Sequence, residues 1–116
     1  MSVKYTINKD VLVISIDKDI DHYATELLRN NIDRHINESC SRYILFNLNN
    51  VEFMDSSSIG LIIGRYKQAK MTGKKMAIIC DKESLKKILI LSGIGRIIKI
   101  YDSLEIALIS IREEKK

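Results

Sequence analysis

An aliphatic and aromatic run, Tyr43-Ile44-Leu45-Phe46-Asn47-Leu48, is followed by apolar residues at helical spacing, Ile59, Ile62, Ile63 and Tyr66. The run reads as a short buried strand and the spacing after it as an amphipathic helix. That change of period restricts the chain to folds in which a strand feeds directly into a covering helix. The joint, Phe53-Met54-Asp55-Ser56-Ser57-Ser58-Ile59-Gly60, holds one acid and three hydroxyls. Asp55 or Ser56 can cap the new helix, because a short side-chain oxygen accepts from its otherwise unpaired backbone N–H groups. One cap accounts for one such residue. A surplus of serines on a helix N-terminus asks for a second use.

The same alternation repeats along the chain. Val3 to Ile7 alternates apolar and polar, Asn8-Lys9-Asp10 supplies turn chemistry, and Val11 to Ile16 reads as a second strand buried on both faces. Asp21 can cap a helix from about His22 to Glu38, with Leu27, Leu28, Ile32 and Ile36 as its apolar stripe. The serine-opened helix runs to about Met71 and Gly73 terminates it; Lys75 to Cys80 is the next strand. Ser84 to Leu91 reads as a third helix, stopped by Gly93 and Gly95, before a short strand from Ile97 to Tyr101. Asp102 and Glu105 have capping-box spacing and introduce a last helix through Ile111, leaving 112–116 as a frayed tail. The order β-β-α-β-α-β-α-β-α predicts a single α/β domain over residues 1–116, a mixed sheet of four to five strands carrying about four helices.

Composition narrows the function classes. The longest unbroken apolar run is Met76 to Cys80, far too short to span a bilayer, and the N-terminus lacks the apolar core of a signal peptide. Cys40 and Cys80 stand alone, so idle thiols in a reducing compartment are expected, with no metal, cofactor or disulfide. A cytoplasmic protein without membrane contact is the expectation. The net charge of +4 is uneven: residues 1–58 carry six basic and nine acidic side chains, residues 59–116 thirteen and six. No stacking aromatics interleave with the lysines, so solvated helix faces or an acidic protein partner are expected, with no direct nucleic-acid contact.

Several words of the sequence resemble a known family. Asp21-His22-Tyr23-Ala24, Phe53-Met54-Asp55-Ser56-Ser57 and Gly60-Leu61-Ile62-Ile63-Gly64-Arg65-Tyr66-Lys67-Gln68 are similar to the STAS family of sulfate-transporter and anti-sigma-antagonist domains, in its sporulation branch. The similarity runs over nearly the whole chain, including Ser92-Gly93-Ile94. It implies an anti-sigma factor antagonist. The unphosphorylated form binds an anti-sigma factor that is also an ATP-dependent serine kinase, and so frees the sporulation sigma factor F. The kinase, with its bound nucleotide, then modifies the serine after the motif aspartate, here Ser56, and a serine phosphatase resets the switch. The resemblance further implies partner contact by Asp21, Asp55, Ser57, Ser58, Gly60 and Arg65. Ser58 departs from the family's usual glycine, so three serines compete as acceptors and the backbone is less free. Lys18-Asp19 replaces the glycine-acid pair usual in the first loop.

Two other readings compete. Ser56-x-Ser58-x-Gly60 fails the Gly-x-Ser-x-Gly nucleophile elbow at its first glycine, and no Gly-rich loop ends in Gly-Lys-Ser/Thr, so an enzyme is not expected. An antagonist of a general-stress anti-sigma factor would keep the same phosphosite with a different partner.

Overall fold

The computed structural model describes residues 2–17 and 22–113. Ser2–Asn8 (β1) and Val11–Asp17 (β2) form an antiparallel hairpin from Ser2 opposite Asp17 to Asn8 opposite Val11. Its two-residue turn places Lys9 at φ 57°. From there the chain alternates: His22–Ser39 (α1), Tyr43–Asn50 (β3), Ser56–Met71 (α2), Lys75–Ile79 (β4), Glu83–Leu91 (α3), a 3-10 turn at Ile94–Arg96, Lys99–Tyr101 (β5) and Leu104–Glu113 (α4). The five strands lie in sequence order, and β2 to β5 pair in parallel.

That order explains where the helices go. Right-handed crossovers that always step in one direction along a sheet keep their helices on one face. Leu12, Ile14, Ile16, Ile44, Phe46, Leu48, Met76 and Ile78 accordingly pack against Ile32 of α1, Leu61 and Ile62 of α2 and Leu85 and Leu89 of α3. The alternate strand residues, Val11, Val13, Leu45, Ala77 and Ile79, meet Ala107 and Ile111 of α4 on the opposite face. Strands covered on both sides read as continuous apolar runs, as β2 does.

Four expectations are corrected. Leu27 is 64% exposed, and Thr25 joins Leu28, Ile32 and Ile36 in the buried stripe of α1. The last strand starts at Lys99, because Ile94–Arg96 winds as a 3-10 turn and Ile98 N–H donates back to Ile94. At the start of α4, Ser103 Oγ accepts from Ile106 N–H at 3.2 Å, the bond of an N-cap, while Asp102 is taken by the Lys86 ammonium. Arg112 and Glu113 belong to α4; Arg112 Nε reaches Asp10 Oδ1 at 3.1 Å and Nη2 reaches Asn8 O at 3.3 Å, tying α4 to the hairpin tip. The cap expected at Asp21 lies outside the described residues, as do 114–116.

Candidate functional site

β3 ends in Asn49-Asn50, and the chain crosses to α2 over 51–55. Val51 and Met54 point inward, 0% and 2% exposed, and anchor the crossing, while Phe53 between them is 54% exposed. Asp55 caps α2 from an extended conformation, φ −104° and ψ −175°. Its Oδ1 accepts from Ser58 N–H at 3.0 Å, Ser58 Oγ accepts from Asp55 N–H at 2.9 Å, and Ile59 N–H donates to Asp55 O at 3.1 Å. This is a reciprocal capping box, with the acid at the cap and the hydroxyl at the third helical position.

The box separates the three serines. Ser58 is wholly buried, and its proton faces Asp55 O at 3.0 Å and Oδ1 at 3.1 Å. Its hydroxyl is committed to the box, on a helical backbone that serine adopts without strain. Ser57 is half-buried; Ser56 and Gly60 are exposed. The cap choice left open between Asp55 and Ser56 falls to Asp55. Ser56 therefore presents its hydroxyl in the first turn of a helix, where backbone N–H groups and the helix dipole favour an added anion.

The surroundings share one end of the sheet. Asn49 Oδ1 accepts from Asp81 N–H at 2.8 Å, and Lys82 Nζ lies 3.6 Å from Glu52, so the β4–α3 loop is bound to the β3–α2 crossing. β2 and β3 are parallel neighbours, their last pair being Asp17 with Asn50. The N-terminus of α1 therefore starts from the same sheet end as that of α2. Asp21, just before α1, is outside the described residues.

Arg65 is not part of this surface. It occupies the buried stripe of α2 with Ser58, Leu61, Ile62 and Ala69, nine residues from Ser56 and about 14 Å along the axis. Its Nε lies 3.0 Å from Asp33 Oδ1 of α1, with side chains 8% and 28% exposed. The contact is an ion pair by distance but not a hydrogen bond by direction, since Nε, Nη1 and Asp33 Oδ1 have no hydrogen-bond partner among the described residues. The pair lines a cleft of about 300 Å³ between α1 and α2, with Ile36, Asn37, Gln68 and Thr72. The sequence signal was available: Arg65 sits four residues after Leu61 and four before Ala69, on the inward stripe.

Gly60 and Gly64 also differ from packing glycines. A methyl group built on either meets no described residue within 4 Å, so neither brings the described parts of the chain closer together. The exposure of Phe53 is what reasoning from the sequence missed. The residue is a large exposed aromatic three positions before Ser56, and only its burial pattern separates it from a core residue.

Comparison with known proteins places this arrangement. The STAS domain profile matches residues 2–107. The chain belongs to the STAS family. An anti-sigma F factor antagonist of Paenibacillus polymyxa is 32% identical to this STAS chain over 96 residues, 83% of this chain and 82% of the relative. The fold superposes on an anti-sigma factor antagonist of Mycobacterium paratuberculosis with a TM-score of 0.86 at 19% identity, covering 96% and 93% of the two chains. It superposes on the antagonist SpoIIAA in its unphosphorylated form with a TM-score of 0.81 at 23% identity, covering 99% and 100%. The phosphorylated form of the Bacillus SpoIIAA gives 0.72 at 23% identity, covering 95% and 99%.

Proposed function

We propose that this STAS chain is an anti-sigma factor antagonist whose binding surface is switched by phosphorylation of Ser56. The observation that carries the reading is the partition of the serines: Ser58 is locked in the capping box, whereas Ser56 is exposed in the first turn of α2. The unphosphorylated chain binds an anti-sigma factor and so releases a sigma factor; the identity with the Paenibacillus antagonist of the sigma F system favours the sporulation factor. The anti-sigma factor is also the kinase. It transfers the γ-phosphoryl group of its bound ATP to Ser56 Oγ, leaving ADP, and a serine phosphatase hydrolyses the ester. The chain acts in the cytoplasm as a regulator, with no catalysis of its own.

Charge makes the switch work. Phosphate adds about −1.5 to −2 charge at neutral pH. On the α2 N-terminus that charge is tolerated, so the fold persists. Against nucleotide phosphates or acidic groups of a partner it repels, and the carboxylate of neighbouring Asp55 adds to it. A tenfold loss of affinity needs only about 1.4 kcal/mol of such repulsion. The contact surface proposed is Asp21, Asp55, Ser56, Ser57 and Gly60; the burial of Arg65 and Ser58 favours leaving them out of it.

Incubation with the cognate kinase and ATP, followed by phosphosite mapping, tests the reading. Phosphate on Ser56 is expected, with Ser56→Asp weakening kinase binding at least tenfold. Modification chiefly at Ser57 overturns the site assignment. Asp21→Asn keeps a capping side chain but removes its charge, and impaired binding with an unchanged melting temperature is expected. Capture of a stress-response anti-sigma factor in place of the sporulation one would move the pathway and leave the switch intact.

A further inference from the structure

The last turn of α3, the 3-10 turn and β5 form a surface that the switch does not use. Residues 87–101 contain Lys87, Arg96 and Lys99 and no acid. All three cations are exposed, and none has an ion pair among the described residues. Ile90, Leu91 and Ile97 stand beside Lys87 and Arg96, 62%, 87% and 46% exposed. The Cβ position of Gly95 lies 3.9 Å from Ile90 Cγ1 and 3.7 Å from Ile100 Cδ1, so the 3-10 turn joins the end of α3 to the same face of β5; Lys99, paired in register with Ala77, lies on the α4 side, and the patch is carried by Lys87 and Arg96. The nearest acids along the chain, Glu83 and Asp102, are both engaged by Lys86.

Against the expectation of no membrane contact drawn from the sequence, we propose that this surface docks peripherally on an anionic phospholipid membrane. Exposed aliphatic side chains interleaved with unpaired cations match an interface whose outer layer is negative and whose interior is apolar. Shape favours a membrane over an acidic peptide. The side chains project from a helix end and a tight turn, and neither the cleft between α1 and α2 nor the one beside Tyr5 and His35 takes a residue from this stretch. β5 has three residues, too few to hold an added strand. No helix among the described residues is long and apolar enough to cross a bilayer, so the contact is superficial. Each cation near an anionic surface is worth roughly a fivefold gain in partition, so binding is weak, reversible and salt-sensitive. α3 starts beside the β3–α2 crossing and runs away from it, so membrane contact leaves Ser56 free.

Flotation with phosphatidylglycerol vesicles tests this, with phosphatidylcholine vesicles as the neutral control. The full chain is expected to float with the anionic vesicles at low salt, to be released at high salt, and to ignore the neutral ones. Leu91→Glu should cut partition about tenfold with an unchanged melting temperature, because that side chain is 87% exposed. Lys67→Glu, an exposed cation on α2, should cost far less. Absence of flotation on anionic vesicles overturns the proposal. So does wild-type flotation of Leu91→Glu, or an equal loss from Lys67→Glu, which would mean diffuse charge attraction. Binding of poly-glutamate without binding of vesicles would assign the surface to an acidic protein instead.

Discussion

At the scale of single residues, the three neighbouring serines have three different fates, and the difference is measurable. Ser58→Ala removes a hydroxyl that is buried and both donates and accepts within the capping box, so a loss of about 1–2 kcal/mol is expected in a denaturant titration. Ser56→Ala touches no cap and should stay within about 0.5 kcal/mol of wild type while abolishing phosphorylation. The sequence offered Asp55 or Ser56 as the cap, and Asp55 takes the role; it could not tell that the cap would recruit its partner three positions on, because Ser58 was read only as a departure from glycine. Tyr5 offers a second residue-level test. Burial pushes its phenol up to about 12, against a smaller opposing pull from Arg34, and the hydroxyl donates to Asn31 while the ring stacks on His35 at 3.5 Å. The folded chain then holds its proton where the unfolded chain, with a phenol near 10, releases it. Stability from this group is complete below pH 10 and is lost as pH rises towards 12. Melts at pH 9 and 11 should differ more for wild type than for Tyr5→Phe, which cannot ionise. Equal differences would mean that the effect comes from other tyrosines.

At the scale of elements, α2 carries a cost without a structural return. Glycine inside a helix is less stable than alanine by roughly 0.5–1 kcal/mol, yet among the described residues the space around Gly60 and Gly64 is open. Gly64→Ala is therefore expected to raise stability by about 0.5–1 kcal/mol in thermal or urea melts. A simultaneous loss of anti-sigma factor binding would mean that the bare helix backbone is kept for the partner; unchanged binding would mean that it is not. The inward side of α2 carries the opposite kind of feature. Arg65→Met leaves Asp33 partly buried without its cation, and a loss of up to about 3 kcal/mol is expected, much of it recovered in the double variant with Asp33→Leu. Element order and type were readable from period alone, and so were most boundaries. Phase was less so: Leu27 and Thr25 exchanged places because the sheet, which is assembled from distant segments, decides which side of α1 turns inward. The box expected at Asp102 likewise lost to a contact sixteen residues away, the Lys86 ammonium, leaving Ser103 as the cap.

At the scale of the whole molecule, one sheet serves two cores, so neither helix layer has a strand set of its own. Unfolding is expected to be a single transition, with far-ultraviolet circular dichroism and tyrosine fluorescence giving coincident curves in urea. Separated curves would mean that α4 peels from its face first, with Arg112 letting go of the hairpin tip. The parallel arrangement also gives the molecule two poles: strand ends and helix starts gather at the Ser56 pole, strand starts and helix ends at the other. Cys40 sits at that far pole, exposed in the turn between α1 and β3, whereas Cys80 is fully buried, its thiol pushed up by burial. About 25 Å of strand separates the two ends. A maleimide dye should therefore attach to the unaltered protein at one position only, on the side away from the phosphorylation site. Such a conjugate would tumble more slowly when the anti-sigma factor is captured and faster again on phosphorylation, so fluorescence anisotropy could follow the whole cycle in real time without engineering a single residue.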